Sequence, residues 1–237
     1  RHATPTEVQM LNALVISPAQ IAPAVALRGY VEPVRPAPEA SALGATRSFR
    51  KDEEIFGEGD CATSFYKVVT GAVRTSKLLC DGRRQIDAFH LPGDIFGIET
   101  GDAHRFSAEA LGDVTAVSYR RCSLDLLGAS DSAFSRQIIA AMMRSLERAQ
   151  NHMLLLGRKS AVEKVASFLL DIAERAADHG HVELPMSRVD IADHLGLTVE
   201  TVSRSLTGLE RRNIIALPAH RRSIVLRDRA ALRRLEA

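Results

Sequence analysis

Between Asp131 and Leu156 the chain runs for 26 residues without a glycine or a proline. Within that run Ile138, Met142, Ser145, Ala149, His152 and Leu156 fall at alternating intervals of four and three, flanked by Ile139, Met143, Leu146 and Met153. This period is that of an α-helix. A seam that includes Ala and Ser lets a second helix approach closely, so those six residues are read as the contact line of a homodimer, with an ordinary core helix as the alternative. So long a helix divides the chain into two parts of different texture.

Upstream, from Phe49 to about Tyr119, short apolar runs are broken by glycine turns. Phe65–Val69 stops at Gly71, Ala72–Leu79 at Asp81-Gly82, Ile86–Leu91 at Pro92-Gly93-Asp94, and Val114–Tyr119 closes the region. This rhythm predicts an antiparallel sandwich or roll. Asp81-Gly82 is a hairpin signal, since both positions tolerate positive φ. Before it, residues 22–45 are rich in Pro and Ala and read as a partly ordered arm, preceded by a short helix over Val8–Ile16.

Downstream, Ala161–Ala177 reads as an amphipathic helix with Val165, Phe168, Leu169 and Ile172 on one face, ended by His179-Gly180-His181. Ser187-Arg188-Val189-Asp190 then opens like a capping box, with Ser187 as N-cap. Ile191, Ala192 and Leu195 lie on one face, Gly196 follows, and a new helical period runs through Val199, Val202 and Leu206. Two helices that cross steeply need a small residue, Ala192, at their closest approach and a residue free to take positive φ, Gly196, at the bend. The spacing predicts a helix-turn-helix. Asn213–Leu217 and Ser223–Leu226 read as strands joined by a turn carrying Arg221 and Arg222, which makes it winged.

Charge is distributed unevenly. The net charge is +2, yet from Thr198 onward nine arginines face four acids. A basic end on a nearly neutral chain is what a polyanion binder requires, although a solvated helix face has the same composition. Cys61, Cys80 and Cys122 lack C-x-x-C spacing and are read as reduced thiols of a cytoplasmic protein. His179 and His181 have no accompanying ligand set, so no metal is expected. No nucleophile elbow or phosphate-cradling glycine loop points to an enzyme. No apolar stretch is long enough to span a bilayer, so no membrane partner is expected.

Leu195–Arg204 resembles the recognition helix of the CRP/FNR superfamily of transcription regulators. Phe56-Gly57-Glu58-Gly59-Asp60, Phe65-Tyr66-Lys67-Val68, Gly71-Ala72-Val73 and Gly93-Asp94-Ile95-Phe96-Gly97 are similar to the upstream segments of that family. The resemblance covers about Thr46 to Leu226 and implies an α+β fold: an N-terminal antiparallel β-roll of the cyclic-nucleotide-binding kind (a double-stranded β-helix), a long dimerisation helix, and a C-terminal winged helix-turn-helix that recruits RNA polymerase. The expected divisions are an arm over 1–45, a roll over 46–128, the dimerisation helix over 129–157 and the DNA-binding domain over 158–237.

Val199 stands where the cyclic-AMP receptor group carries arginine, and Ser203 where that group carries glycine. Val199, Glu200, Ser203 and Arg204 together resemble the FixK-type branch, which reads TTGA-type inverted repeats. Arg204 can donate twice to guanine and Glu200 can accept from cytosine, while Ser203 can meet a base edge or a thymine methyl. Glu200 and Arg204, one turn apart, are also expected to orient each other. Thr198, Val199, Thr201, Ser187, Arg188, Arg221 and Arg222 are the further residues expected at the DNA. A negative charge at Ser187 should repel phosphate, so Ser187→Asp is expected to weaken DNA binding and leave the dimer intact.

In nucleotide-responsive relatives a Gly-Glu pair and a later Arg-Ser/Thr hold ribose and phosphate. Here Ile98 follows Gly97 and Phe106 follows Arg105, so the pocket reads as eroded and Arg105 as part of a structural ion pair. No cysteine precedes Cys61, which argues against the iron–sulfur cluster of the oxygen-sensing branch. The resemblance therefore implies an effector-free activator of microaerobic respiration or nitrogen-fixation genes, with no cofactor, acting on a palindromic operator. The alternative is a regulator of the same fold gated by a small molecule in the roll.

Overall fold

The computed structural model describes residues 44–122, 133–176, 181–218 and 223–236. Residues 1–43 of the arm, with the Val8–Ile16 helix, and His179, Arg221 and Arg222 lie outside them, while Gly44 and Ala45, assigned to the arm, begin a strand. Eight strands come first: β1 (Gly44–Phe49), β2 (Glu54–Phe56), β3 (Ser64–Thr70), β4 (Val73–Leu78), β5 (Arg84–His90), β6 (Ile95–Phe96), β7 (Ser107–Ala110) and β8 (Val114–Arg120). They form two antiparallel four-stranded sheets, ordered β1-β8-β3-β6 and β2-β7-β4-β5. The chain crosses between the sheets at nearly every connection, which makes the unit a roll.

Alternation along the strands sends one set of side chains into the space between the sheets. Phe56, Tyr66, Val68, Val73, Phe96 and Val114 meet there, with Ala108, Ala110 and Ala116 where the sheets come close. Gly71, at φ +82°, joins β3 to β4 beside the Asp113 carbonyl, where a Cβ would collide. The β4–β5 hairpin differs in detail from expectation. Among the described residues of the turn only Gly82 takes positive φ (+83°). The Leu79 N–H donates to the Arg83 carbonyl at 2.8 Å and the Gly82 N–H to the Leu79 carbonyl at 2.9 Å. That is a three-residue loop with a left-handed glycine. Asp81 instead keeps negative φ and accepts the Arg83 N–H at 3.0 Å.

Five helices and three short strands follow in the described residues: α1 (Ala133–Arg158), α2 (Ala161–Arg175), β9 (His181–Glu183), α3 (Arg188–Leu195), α4 (Val199–Arg211), β10 (Ile215–Ala216), β11 (Ser223–Leu226) and α5 (Arg229–Glu236). Strands β10, β11 and β9 pair in that order as a small antiparallel sheet. Val165, Phe168, Leu169 and Ile172 of α2 are all buried, and Glu163 accepts the Ser160 N–H at 2.8 Å to fasten the start of that helix. Burial at this density gives each large aliphatic or aromatic side chain about 1.5–3 kcal/mol of stabilisation. The same core takes in Ala72, Ile86, Phe89, Leu91 and Leu111 from the roll, so roll and helices share one apolar interior.

The seam proposed for α1 is corrected in part. Ile138 is 2 % exposed and packs on Phe65 and Tyr119 of its own roll. His152 stacks on His194 with ring centroids 4.1 Å apart, and Leu156 packs against the helical core. Met142, Ser145 and Ala149 remain exposed. The large apolar residues left outward are Ile139, Met142, Met143, Leu146, Met153 and Leu154, a broad stripe that shares Met142 with the expected line and extends to one side of it. The roll, α3 and the helical core occupy the expected line at Ile138, His152 and Leu156, and its middle stays open. No helix among the described residues is long and apolar enough to cross a membrane.

Candidate nucleic-acid interface

The interface is built outward from two caps and a bend. Ser187, at φ −79° and ψ 167°, accepts the Asp190 N–H at 3.1 Å, while Asp190 Oδ2 accepts the Ser187 N–H at 2.9 Å. This reciprocal pair satisfies donors that the first turn of α3 would leave empty. Gly196 ends α3 at φ 61° and ψ 43°, and the Leu197 N–H reaches back to the Ala192 carbonyl at 3.0 Å. Thr198 then caps α4, accepting the Thr201 N–H at 3.2 Å. Val202, Leu206 and Leu209 turn inward against Ile191, Ala192 and Leu195, all of them buried. With that face locked, the opposite face of α4 has one orientation.

On that outward face Glu200 and Arg204 are exposed, and Val199, Thr201 and Ser203 are half-buried. Arg188, the first residue of α3, donates Nη1 to Ser203 Oγ at 3.3 Å and so brings two of the expected DNA residues together. The Ser203 hydroxyl keeps its own hydrogen for another acceptor. Val199 leans on the helical core. One expectation is not met: Glu200 and Arg204 form no ion pair with each other, and both stand apart in solvent. The cap at Thr198 and the inward Val202 direct their stems along the helix without a pair being needed. At the far end of α4, Glu210 Oε1 accepts the Leu217 N–H at 3.0 Å, tying the helix to the wing. Strands β10 and β11 are in register at Ile215–Leu226 and Ala216–Val225.

Inside the roll, rings fill the space. Phe56 stacks on His104 at 3.6 Å, on Tyr66 at 5.8 Å and on Phe96 at 6.1 Å between centroids, and His90 lies on Phe96 at 5.0 Å. Gly97 holds φ +77° with the Phe56 ring against it, and Ile98 joins the Phe65–Tyr119–Ile138 cluster. Glu99, one residue after Ile98, pairs with Arg105 Nε at 3.2 Å, the ion pair expected of that arginine. Burial pushes the His104 imidazole below its ordinary range, with Glu99 and Asp60 opposing. Burial likewise lowers His90 to about 4.

Sequence reasoning missed two residues of consequence. Arg74 and Arg84 belong to no motif singled out in the sequence, yet both reach Asp190 at 2.8 Å across more than a hundred residues of chain. The signal was half present: Asp190 was recognised as a cap, but a carboxylate has two oxygens, and its second one had no assigned partner.

A ring-filled β-roll, a long helix and a winged helix-turn-helix define a DNA-binding regulator. Residues 46–130 match the cyclic nucleotide-binding domain family and residues 163–235 the Crp-like helix-turn-helix domain family. The chain is 52% identical over 211 residues to the nitrogen fixation regulation protein FixK of Azorhizobium caulinodans, covering 87% of this chain and 85% of that protein. It is 44% identical to the protein of the same name from Rhizobium meliloti, over 79% of this chain and 85% of that one. Its structure is similar to that of FixK2 from Bradyrhizobium japonicum, with a TM-score of 0.76, 51% identity, and coverage of 82% of this chain and 98% of that one. The chain belongs to the CRP/FNR family of transcription regulators, in its FixK-type branch.

Proposed function

We propose that this protein is a transcription activator that binds, as a homodimer and without a bound effector, to a TTGA-type inverted repeat and recruits RNA polymerase. The observation that carries the reading is the outward face of α4, where Glu200 and Arg204 stand exposed over a fully buried inner face. Arg204 reads guanine through O6 and N7, Glu200 accepts from cytosine N4, and Ser203, steadied by Arg188, meets a base edge or a thymine methyl. Thr198, Val199, Thr201, Ser187 and Arg188 border that surface, and Arg221 and Arg222 add phosphate contacts from the wing. The outward apolar stripe of α1, from Ile139 to Met153, supplies the surface for a second copy. Two recognition helices then enter successive major grooves about 34 Å apart.

The target genes are those of nitrogen fixation, as the names of the relatives suggest, or those of microaerobic respiration, as the family resemblance implies. Control then rests on the amount of protein or on its modification. The test is binding of purified, effector-free protein to a labelled TTGA inverted repeat beside a scrambled duplex at fixed salt. Selective binding supports the proposal, and equal binding to both overturns it.

One observation favours a second reading, in which a small molecule gates the protein. A cleft of about 340 Å³ lies where β5, α1, α2 and α3 meet, lined by Phe89, Arg148, His152, Phe168, Arg175 and His194. That volume suits a small ligand. Selective binding that appears only after a cell extract is added would replace the effector-free reading with this one.

A further inference from the structure

Asp190 is 4 % exposed, and its two oxygens do different work. Oδ2 closes the cap of α3, accepting the Ser187 hydroxyl at 2.7 Å and its N–H at 2.9 Å. Oδ1 faces the roll, where Arg74 Nη1 from β4 and Arg84 Nη2 from β5 each donate to it at 2.8 Å. Each arginine is held from its other side as well. Arg74 gives Nε to Glu109 of β7 at 2.8 Å, and Arg84 gives Nε to Asp193 of α3 at 2.9 Å. The charges therefore alternate in a chain, Glu109–Arg74–Asp190–Arg84–Asp193, that begins in the roll and ends in the helix-turn-helix.

Such a network resists displacement. Moving α3 away from the roll would strip a carboxylate with 5 % side-chain exposure of two cations, and would leave Arg74, with 13 % exposure, facing only Glu109. Unpaired buried charge is strongly unfavourable. The same joint is reinforced by neutral contacts: His194 Nδ1–H donates to the Ile86 carbonyl at 3.1 Å, and Gln85 Nε2 to the His194 carbonyl at 3.3 Å. Because α3 packs rigidly on α4, whatever fixes the first turn of α3 also fixes the DNA-reading helix.

We infer that Arg74, Arg84 and Asp190 are positioning residues: an ionic joint that sets the orientation of α4 relative to the roll, and so makes the chain ready for DNA without an effector. The inference rests on the DNA-binding reading above, but it concerns residues that touch no base. It also supplies the physical reason for effector independence, because the orientation that a ligand would otherwise select is built in by side chains. The joint has a second consequence for Ser187. An acidic group there would face Asp190 at hydrogen-bond distance and oppose both the cap and the anchor, acting on orientation as well as on phosphate.

The test measures orientation and affinity on the full-length dimer. Spin labels are placed on Cys80, exposed in the β4–β5 turn, and on an Arg211→Cys substitution at the end of α4, with Cys61→Ser and Cys122→Ser and dilution into unlabelled protein. The parent protein is expected to give one narrow distance by double electron–electron resonance. Arg84→Met should broaden it and lower affinity for the TTGA duplex about tenfold. Arg84→Lys, which keeps the charge but cannot bridge both carboxylates, should have a smaller effect. Exchanging the charges in Arg84→Asp with Asp193→Arg, which sets a carboxylate against Asp190, should restore neither reading, whereas a joint resting on the Arg84–Asp193 pair alone would be rescued. A narrow distance and unchanged affinity in Arg84→Met overturn the inference. So does an affinity loss that follows only the unfolded fraction. If the distance broadens as expected while even the parent protein fails to prefer TTGA over scrambled DNA, the joint stands and the operator reading falls.

Discussion

The reading face of α4 and the joint beneath α3 lie within one helix-turn-helix but are built in opposite ways. On the reading face, Glu200 and Arg204 are exposed and make no ion pair with each other. At the joint, Asp190 is buried and holds two guanidiniums, a hydroxyl and a backbone N–H. Glu200 and Arg204, the residues proposed to read bases, are left exposed, and the residues proposed to fix geometry are saturated. The contrast predicts how the two regions respond to change: the joint through stability and orientation together, the face through DNA affinity alone.

The largest effect is expected from Asp190→Ala. It removes the carboxylate half of the capping box and leaves Arg74 and Arg84 without their shared anion, and should cost about 3–5 kcal/mol in denaturant unfolding. A loss below about 1 kcal/mol would make the joint no stronger than a surface pair.

Acid should act next. Burial lowers His90 to about 4, with Arg175 and Arg148 adding to it and Asp94 opposing. Burial, followed by the neighbouring His152, lowers His194 to about 3. Both imidazoles are neutral in the folded protein, whereas in the unfolded chain they take up protons near pH 6.5. The unfolded state therefore binds more protons between about pH 6.5 and 4, so their contribution is complete above that window and is lost as pH falls through it. Each histidine should contribute a slope of about 1.4 kcal/mol per pH unit there. His194→Phe should flatten the curve of urea midpoint against pH, and an unchanged slope would refute the assignment.

On the face, Arg204→Ala should cost about 1–3 kcal/mol of DNA binding and relax the choice of base at its guanine, with the thermal midpoint unchanged. A drop in midpoint as large as that of Asp190→Ala would erase the contrast between face and joint. The smallest effect belongs to the wing: Arg221→Ala should weaken TTGA and scrambled duplexes alike and reduce the salt dependence by about one counterion.

The same contrast explains what could be read from the sequence. Ser187, Gly196, Val202 and the wing strands follow from spacing within some forty residues, because caps, bends and helix faces are local matters. The roll is legible as a kind of fold from its glycine turns, yet its β6 has two residues, and β9 of the small C-terminal sheet three, too few to show alternation. Val182, the one buried residue of β9, acquires its meaning from pairing with Ile224. On α1 more than one stripe was apolar, and only the folded roll shows that Ile138 faces inward and Ile139 outward. Arg74 and Asp190 are separated by 116 residues, and no periodicity links them.

The most direct test of the central claim is equilibrium binding of the purified, effector-free protein to a TTGA inverted repeat and to its scrambled counterpart at one near-physiological salt concentration. Tight, selective binding without any added small molecule is the predicted result. Indifference between the two duplexes, or selectivity that requires an added effector, would contradict it.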